Sequence, residues 1–407
     1  MPRDIKRRDV LKGAGVAGLA GLAGCSSLGG GGGGSTLMQG VLMPETGDLA
    51  SVGKPIRDGA LLPAVQLEGE TEFTIDTQVG DTQTNPQAGI SAANNLVNAG
   101  YPSITGPASS GVNLQVSRQV FIPNKVVGCS PSSTSPNVTT LEDNDYIFRT
   151  PPSDALQGRV IAQVATEREN AQTASTMYVN NDYGQALSDA FESAFSGEVQ
   201  ATVSFEKEQA SYTTRLESAL ADDPDALVVI GYPASGIQIF RDYYSEFDTG
   251  ASIIVTDGLK DPTLPEEVGN SMSNVIGTAP TAAGPGVKFF TNLWKDEYGG
   301  EPGVFTSQAY DATAVCLLAN AAAGATNDGT DVRDNLRKVA NPGGEAFGPA
   351  KLPEAIEAAA AGDDIAYQGA SSSVDFDENG DMKAVTYEVF SFSSEGVSTE
   401  TTIEFSG

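Results

Sequence analysis

The chain has no histidine. That absence removes the usual general base, the usual proton shuttle and the commonest transition-metal ligand together. A serine-nucleophile elbow with a histidine partner is therefore excluded, and with it the common hydrolase on an α/β scaffold. Cysteine is scarce, with 3 in 407 residues. Cys129 ends the apolar run Val126-Val127-Gly128-Cys129, and Cys316 lies within Ala314-Val315-Cys316-Leu317-Leu318. Buried free thiols fit both contexts, and the sequence leaves a disulfide between them open. Basic residues are few: 23 Lys and Arg face 53 Asp and Glu, a formal net charge of -30. Such a deficit repels nucleic acid and anionic lipid surfaces. The acids are scattered through periodic segments rather than gathered in a tail, as in proteins adapted to high salt, a halophilic source being expected; an acidic site for a cationic partner is the alternative. Long apolar runs are also missing. A spanning helix needs about 20 apolar residues, whereas Gly13 to Gly24 is short, glycine-rich and preceded by Lys12.

What the N-terminus does hold is an export-and-anchor pattern. Arg7-Arg8-Asp9-Val10-Leu11-Lys12 precedes a weakly apolar stretch ending in Leu22-Ala23-Gly24-Cys25. A twin arginine followed by a small-residue run and a cysteine reads as a twin-arginine signal peptide with a lipoprotein processing site. Residues 1–24 are expected to be removed, Cys25 to carry lipid at the outer face of the cytoplasmic membrane, and residues 25–36 to form a Gly-rich tether. Gly13-x-Gly15-x-x-Gly18 matches a dinucleotide fingerprint, but no strand feeds it, so no nucleotide cofactor follows. Glycines 29 to 34 lack the Gly-Lys-Ser/Thr ending of a phosphate loop.

From Thr36 onward, apolar β-type runs alternate with amphipathic helical runs. The strands predicted are Leu37 to Met43, Phe73 to Val79, Ser103 to Thr105, Val126 to Cys129, Thr176 to Asn180, Ala226 to Ile230, Ser252 to Thr256 and Val275 to Thr278. The helices predicted between them include Lys54 to Gln66, Pro86 to Asn98, Val112 to Phe121, Asp154 to Arg168, Gly184 to Phe195 and Ser235 to Glu246. Repeated β-α alternation with short connections implies an α/β fold with mostly parallel sheets, too many units for one sheet, and hence two lobes. In the tail, Asp375 to Asp381 separates two β-type runs and predicts an antiparallel addition turned at Asn379-Gly380. The same loop resembles half of a calcium loop, but Thr386 stands where the bidentate glutamate belongs, so no metal is expected there. Asn137-Val138-Thr139 is a glycosylation sequon.

Two hydroxyl-rich loops stand out. Ser109-Ser110-Gly111 precedes a helical run, where free N–H groups favour an anion. Ser132-Ser133-Thr134 follows the Cys129 strand at its carboxyl end, the end at which doubly wound sheets bind ligands. Turn-forming and capping roles explain any one of these residues equally well.

Several segments in order resemble the leucine-isoleucine-valine-binding family of periplasmic solute receptors. They are Leu42-x-Pro44-x-Thr46-Gly47-x-Leu49-Ala50, Asp81-Thr82-Gln83-Thr84-Asn85-Pro86, Gly106-Pro107-Ala108-Ser109-Ser110, Tyr146-Ile147-Phe148-Arg149-Thr150-Pro151, Val179-Asn180-Asn181-Asp182-Tyr183-Gly184 and Ala309-Tyr310-Asp311-Ala312. The resemblance spans roughly residues 37 to 395. It implies a clamshell of two Rossmann-like lobes crossed three times by the chain, near Thr150-Pro151, Ala279-Pro280 and Ser372-Ser373. Residues 37–150 with 281–372 would form one lobe, and 151–280 with 373–407 the other. The resemblance also implies a non-enzymatic, monomeric receptor that captures a branched-chain or related amino acid and hands it to an ABC permease and its ATPase. Its site residues fall on Ser110, Ser133 and Thr134 for the ligand carboxylate and ammonium, with Ser109 beside them. They fall on Asp257 for the ammonium, and on Tyr183 and Tyr232 as walls from the second lobe. Three departures are visible: Leu67-Glu68-Gly69-Glu70 after the first helix, Val52 where an aromatic wall is common, and Thr306-Ser307-Gln308 where bulkier residues are expected. An amide, a urea-type solute or a small carboxylate therefore stay open as ligands, as does a ligand-sensing role.

Overall fold

The first apolar run forms β1 (Thr36–Met43), buried over most of its length as a strand covered on both faces should be. It anchors a five-stranded parallel sheet with β2 (Thr74–Asp81), β3 (Ser103–Thr105), β4 (Val127–Ser130) and β5 (Ile147–Arg149), in the order β2-β1-β3-β4-β5. This computed structural model describes residues 35–247 and 250–406. Arg7, Arg8, the processing site, Cys25 and nearly all of the 25–36 tether lie outside the described residues.

The second sheet repeats the first one's logic. It contains β6 (Thr173–Val179), β7 (Glu198–Phe205), β8 (Ala226–Ile230), β9 (Ser252–Val255) and β10 (Val275–Pro280). A small parallel pair follows, β11 (Glu345–Phe347) with β12 (Ile365–Tyr367), and then β13 (Ala384–Ser393) and β14 (Gly396–Ser406). The order is β14-β13-β10-β9-β8-β6-β7, with the two C-terminal strands antiparallel. In each sheet the first strand entered lies between the second and the third. Winding therefore reverses beside β1 in one sheet and beside β6 in the other, and these reversals are where doubly wound sheets open a crevice at their carboxyl ends.

Helices cover the sheets. The Thr306–Ala322 helix is buried almost throughout and packs on β1, β3 and β4 and on the Ala50–Leu67 helix. Gly59 lets the two helices touch backbone to backbone, since a Cβ there would sit 2.4 Å from the Thr306 carbonyl oxygen. The chain passes between the sheets after β5, after β10 and after β12. Asp311 fastens the last passage: its carboxylate accepts from Tyr367 Oη at 2.9 Å and from the N–H groups of Ala370 and Ser371 at 2.9 and 2.7 Å.

Three local expectations change. The Val112 to Phe121 helix starts at Ser110 and loosens into a π-helical turn over Ser117–Phe121. The Asp154 to Arg168 helix does the same at Val164–Arg168. The Asn379-Gly380 turn closes only a single bridge, Phe376 to Met382, because Asp381 is drawn to Arg149; the long antiparallel hairpin is β13 with β14, closing at Ser393 and Gly396. Cys129 and Cys316 are buried free thiols, and the neighbouring Cys316 together with burial holds the Cys129 thiol well above the usual range. No described helix is long and apolar enough to cross a membrane.

Candidate functional site

The two winding reversals face each other across one narrow cleft. From the five-stranded side come Leu49, just after β1, and Ala108, Ser109 and Ser110, just after β3. Tyr183 follows β6, Tyr232 follows β8, and Asp257 and Gly258 follow β9 on the opposite side. Each of these residues stands beyond the carboxyl end of a strand, in the loop or first helical turn that follows it. Val52, Ile56, Val304 and Phe305 make one end of the cleft apolar.

Asp257 dominates the polar end. It is 3% exposed, and burial pushes its carboxyl up to about 6 against hydrogen bonds from Gln157, its own backbone N–H and Tyr183. Tyr183 Oη lies 3.2 Å from Asp257 Oδ1 and 2.8 Å from Thr256 Oγ1. The Tyr183 and Tyr232 rings stack at 5.6 Å between centroids, 11° from parallel. Gly258 makes that stack fit, because a Cβ there would come within 2.4 Å of the Gly231 carbonyl oxygen and 3.3 Å of the Tyr232 ring. Tyr232 Oη and Ser109 Oγ share a hydrogen bond of 3.1 Å that spans the cleft. Ser109 is the N-cap residue of the Ser110–Val116 helix but makes no capping bond with its side chain, so its hydroxyl serves the cleft.

Ser109, Ser110, Tyr183, Tyr232 and Asp257 therefore come together, whereas Ser133 and Thr134 do not line the cleft. Ser133 Oγ accepts from Asn113 Nδ2 at 3.1 Å, and Thr134 Oγ1 donates to Asp154 Oδ2 at 3.0 Å. Ser132 borders the cleft in their place. The cause is Arg149, fully buried behind this loop, which donates to the carbonyls of Ser133, Thr134 and Ser135 at 3.3, 2.9 and 2.8 Å and pairs with Asp381 at 2.6 Å. Pinning three successive carbonyls fixes the loop's path and turns the two hydroxyls inward.

Asp154 is a residue that the sequence reading overlooked. It is buried at the start of the Asp154–Gln163 helix, its Oδ1 has no hydrogen-bond partner, and burial plus repulsion from Asp257 holds its carboxyl well above the usual range. Gln157 Oε1, one turn further on, is likewise without a partner. A buried, half-satisfied carboxylate beside another is costly, and the Thr134 hydrogen bond and the buried Arg149 charge offset only part of that cost. Among the described residues no lysine or arginine lines the cleft. Among the described residues no three His, Cys, Asp or Glu side chains converge as metal ligands. The only forewarning of Asp154 in the sequence was its position right after Ser153, which reads as an ordinary helix start.

Residues 39–362 match the family described as periplasmic binding protein. The chain is 27% identical over 353 residues to the chemotactic signal transduction system substrate-binding protein BasB of Halobacterium salinarum, covering 79% of this chain and 84% of that one. The leucine binding protein LivK of Thermotoga maritima superposes with a TM-score of 0.76 at 25% identity, covering 90% of this chain and 98% of the other. Two further structures share the fold. LivJ of Streptococcus pneumoniae, in complex with isoleucine, gives 0.75 at 23% identity over 91% and 100% of the chains. A solute binding protein of R. palustris, in complex with benzoate, gives 0.71 at 16% over 91% and 98%.

Proposed function

The chain belongs to the periplasmic binding protein family, and we propose that it captures an aliphatic α-amino acid outside the cell for delivery to an ABC permease and its ATPase. One observation carries this reading: a single cleft sets Asp257 with Asp154 behind it at one end and Leu49, Val52, Ile56 and Phe305 at the other, with Ser109 and Ser110 between the lobes' loops. The ligand ammonium lies against Asp257, and its carboxylate takes the hydroxyls and backbone N–H groups of Ser109 and Ser110. The aliphatic side chain fills the apolar end, where Val52 in place of an aromatic leaves room for branching. Tyr183 and Tyr232 close over it from the second lobe. Ser133 and Thr134 act indirectly here, by holding the loop that presents Ser132.

The same acids argue against a benzoate-type solute, although structures of this fold bind one. A carboxylate ligand without an ammonium group would meet Asp257 and Asp154 with no basic side chain in the cleft to offset them. Closure is the functional event, since a ligand touching both lobes stabilises the state in which they meet. The surplus of acidic residues fits a protein working in concentrated salt. Anchoring by lipid on Cys25 after twin-arginine export, and work as a monomer, complete the proposal.

A second reading has a specific support: the Halobacterium salinarum relative is named for chemotactic signal transduction. In that case the closed form is read by a signalling partner rather than a permease. Thermal-shift screening of the mature chain against amino acids, amides and small carboxylates in concentrated salt tests the ligand class. An increase in Tm with branched-chain amino acids supports the proposal, and a flat response to all amino acids contradicts it. Pull-down from the native membrane with ligand present separates permease from signalling partner.

A further inference from the structure

The helix Pro233–Glu246, which follows Tyr232 in the cleft wall, begins without a cap of its own. Its N-cap residue is Tyr232, whose side chain makes no capping bond, and its first turn holds no acidic residue. Orphan N–H groups at a buried helix start require a partner. The partner comes from the opposite lobe. Asp48 Oδ1 accepts from the Ser235 N–H at 2.8 Å, the bond that an N-cap side chain ordinarily accepts, and the Asp48 backbone carbonyl accepts from the Ala234 N–H at 3.3 Å. Ser235 Oγ adds bonds to both carboxylate oxygens at 2.9 Å, and both residues are almost fully buried.

We propose that Asp48 is a closure-positioning residue: an N-cap supplied in trans that latches the second lobe's Pro233–Glu246 helix to the first lobe and raises ligand affinity without touching ligand. This inference rests on the clamshell reading above. Asp48 does not line the cleft, but its chain neighbour Leu49 does, and three residues before Ser235 stands Tyr232. The latch therefore joins the two loops that carry opposing cleft walls. A second bridge runs beside it, from Lys207 Nζ to the Thr84 carbonyl at 2.5 Å, and Thr84 Oγ1 in turn accepts from the Leu49 N–H at 3.1 Å. When the lobes part, water must take over the Ser235 and Ala234 N–H groups and the Asp48 carboxylate, so the full contact exists only in the closed form. A carboxylate at a helix N-terminus satisfies N–H groups that would otherwise be orphaned, and a contact made in one state shifts the equilibrium by its differential free energy alone.

The test uses the mature chain with L-isoleucine as probe. Asp48→Ala, Ser235→Ala and the double variant are compared by stopped-flow and calorimetric binding. Spin labels on Ser91→Cys and Ser193→Cys, two exposed positions on the two lobes, report the interlobe distance. The latch predicts about tenfold weaker binding for Asp48→Ala, most of it in faster release, a similar loss for Ser235→Ala, and no further loss in the double variant. The distance distribution should shift toward the longer population in both single variants. Unchanged affinity and distances, or losses that add in the double variant, overturn it. Should wild type fail to bind isoleucine, the amino-acid reading fails, and the distances still decide the latch: a closed population lost in Asp48→Ala upholds it, and one retained, or none in wild type, refutes it.

Discussion

Asp257 is held in a place that water would stabilise better. Its acidity is weakened by burial, up to about 6, and a cationic ligand group would restore the ionised form by direct attraction. Replacing it with alanine should weaken binding of the cognate amino acid by about 2 kcal/mol or more, measured calorimetrically; an unchanged affinity would remove Asp257 from the site. The direction of the pH dependence follows from the same burial. Asp257 and Asp311 both rise to about 6 from an ordinary 3.8, so the folded chain takes up protons between about pH 6 and 4 that the unfolded chain does not. Their contribution to stability is present in full below the unfolded value and is lost as pH rises through 6. Ligand-free protein should therefore gain Tm between pH 7 and 5, while affinity for the amino acid falls about tenfold over that range as Asp257 is neutralised. Affinity that held steady while Tm rose would separate Asp257 from ligand binding. Ser109 and Ser110 stood out in the sequence as a hydroxyl-rich loop ahead of a helical run, Asp257 by following an apolar strand, and Tyr183 and Tyr232 through the family resemblance alone; all five line one cleft. The orientation of Ser133 and Thr134 was not, since it is set by Arg149 and Asp154, which are distant in sequence.

Among the elements, the Ser130–Ser135 loop shows how a scaffold residue shapes a site from behind. Arg149 ends β5 and spends its guanidinium on three loop carbonyls and on Asp381, 232 residues away. Removing one partner of a buried ion pair strands the other charge. Arg149→Met is expected to destabilise the fold by about 3–5 kcal/mol, read as a lowered midpoint in denaturant unfolding. A loss below about 1 kcal/mol, the range of surface pairs, would show that the pair is not structurally important. β8 was evident from an unbroken apolar run, and β1 and β10 from runs interrupted only at Gln39-Gly40 and Gly277-Thr278. β5 is only three residues long and β7 is an edge strand with mixed exposure, so periodicity gives neither of them a clear signal. The β13 and β14 hairpin was misplaced for a similar reason: Asn379-Gly380 is a strong local turn, but Asp381 is committed to Arg149 and the tail pairs farther on.

Taken whole, the molecule brings together two sheets with the same winding order, each contributing the loops at its reversal to one cleft. That repetition made the fold legible from the β-α rhythm, while the contacts across the cleft, Ser109 to Tyr232 and Asp48 to Ser235, join residues 123 and 187 positions apart and left no local trace. The central claim is that the cleft selects a zwitterion because its polar end is acidic. Isothermal titration of the mature chain with L-isoleucine and with 3-methylpentanoate, the same carbon skeleton without the ammonium group, tests it most directly. Binding of the amino acid with at least a hundredfold preference over the acid, about 2.7 kcal/mol, is the predicted result. Equal binding of the two, or tighter binding of the carboxylate alone, would contradict it.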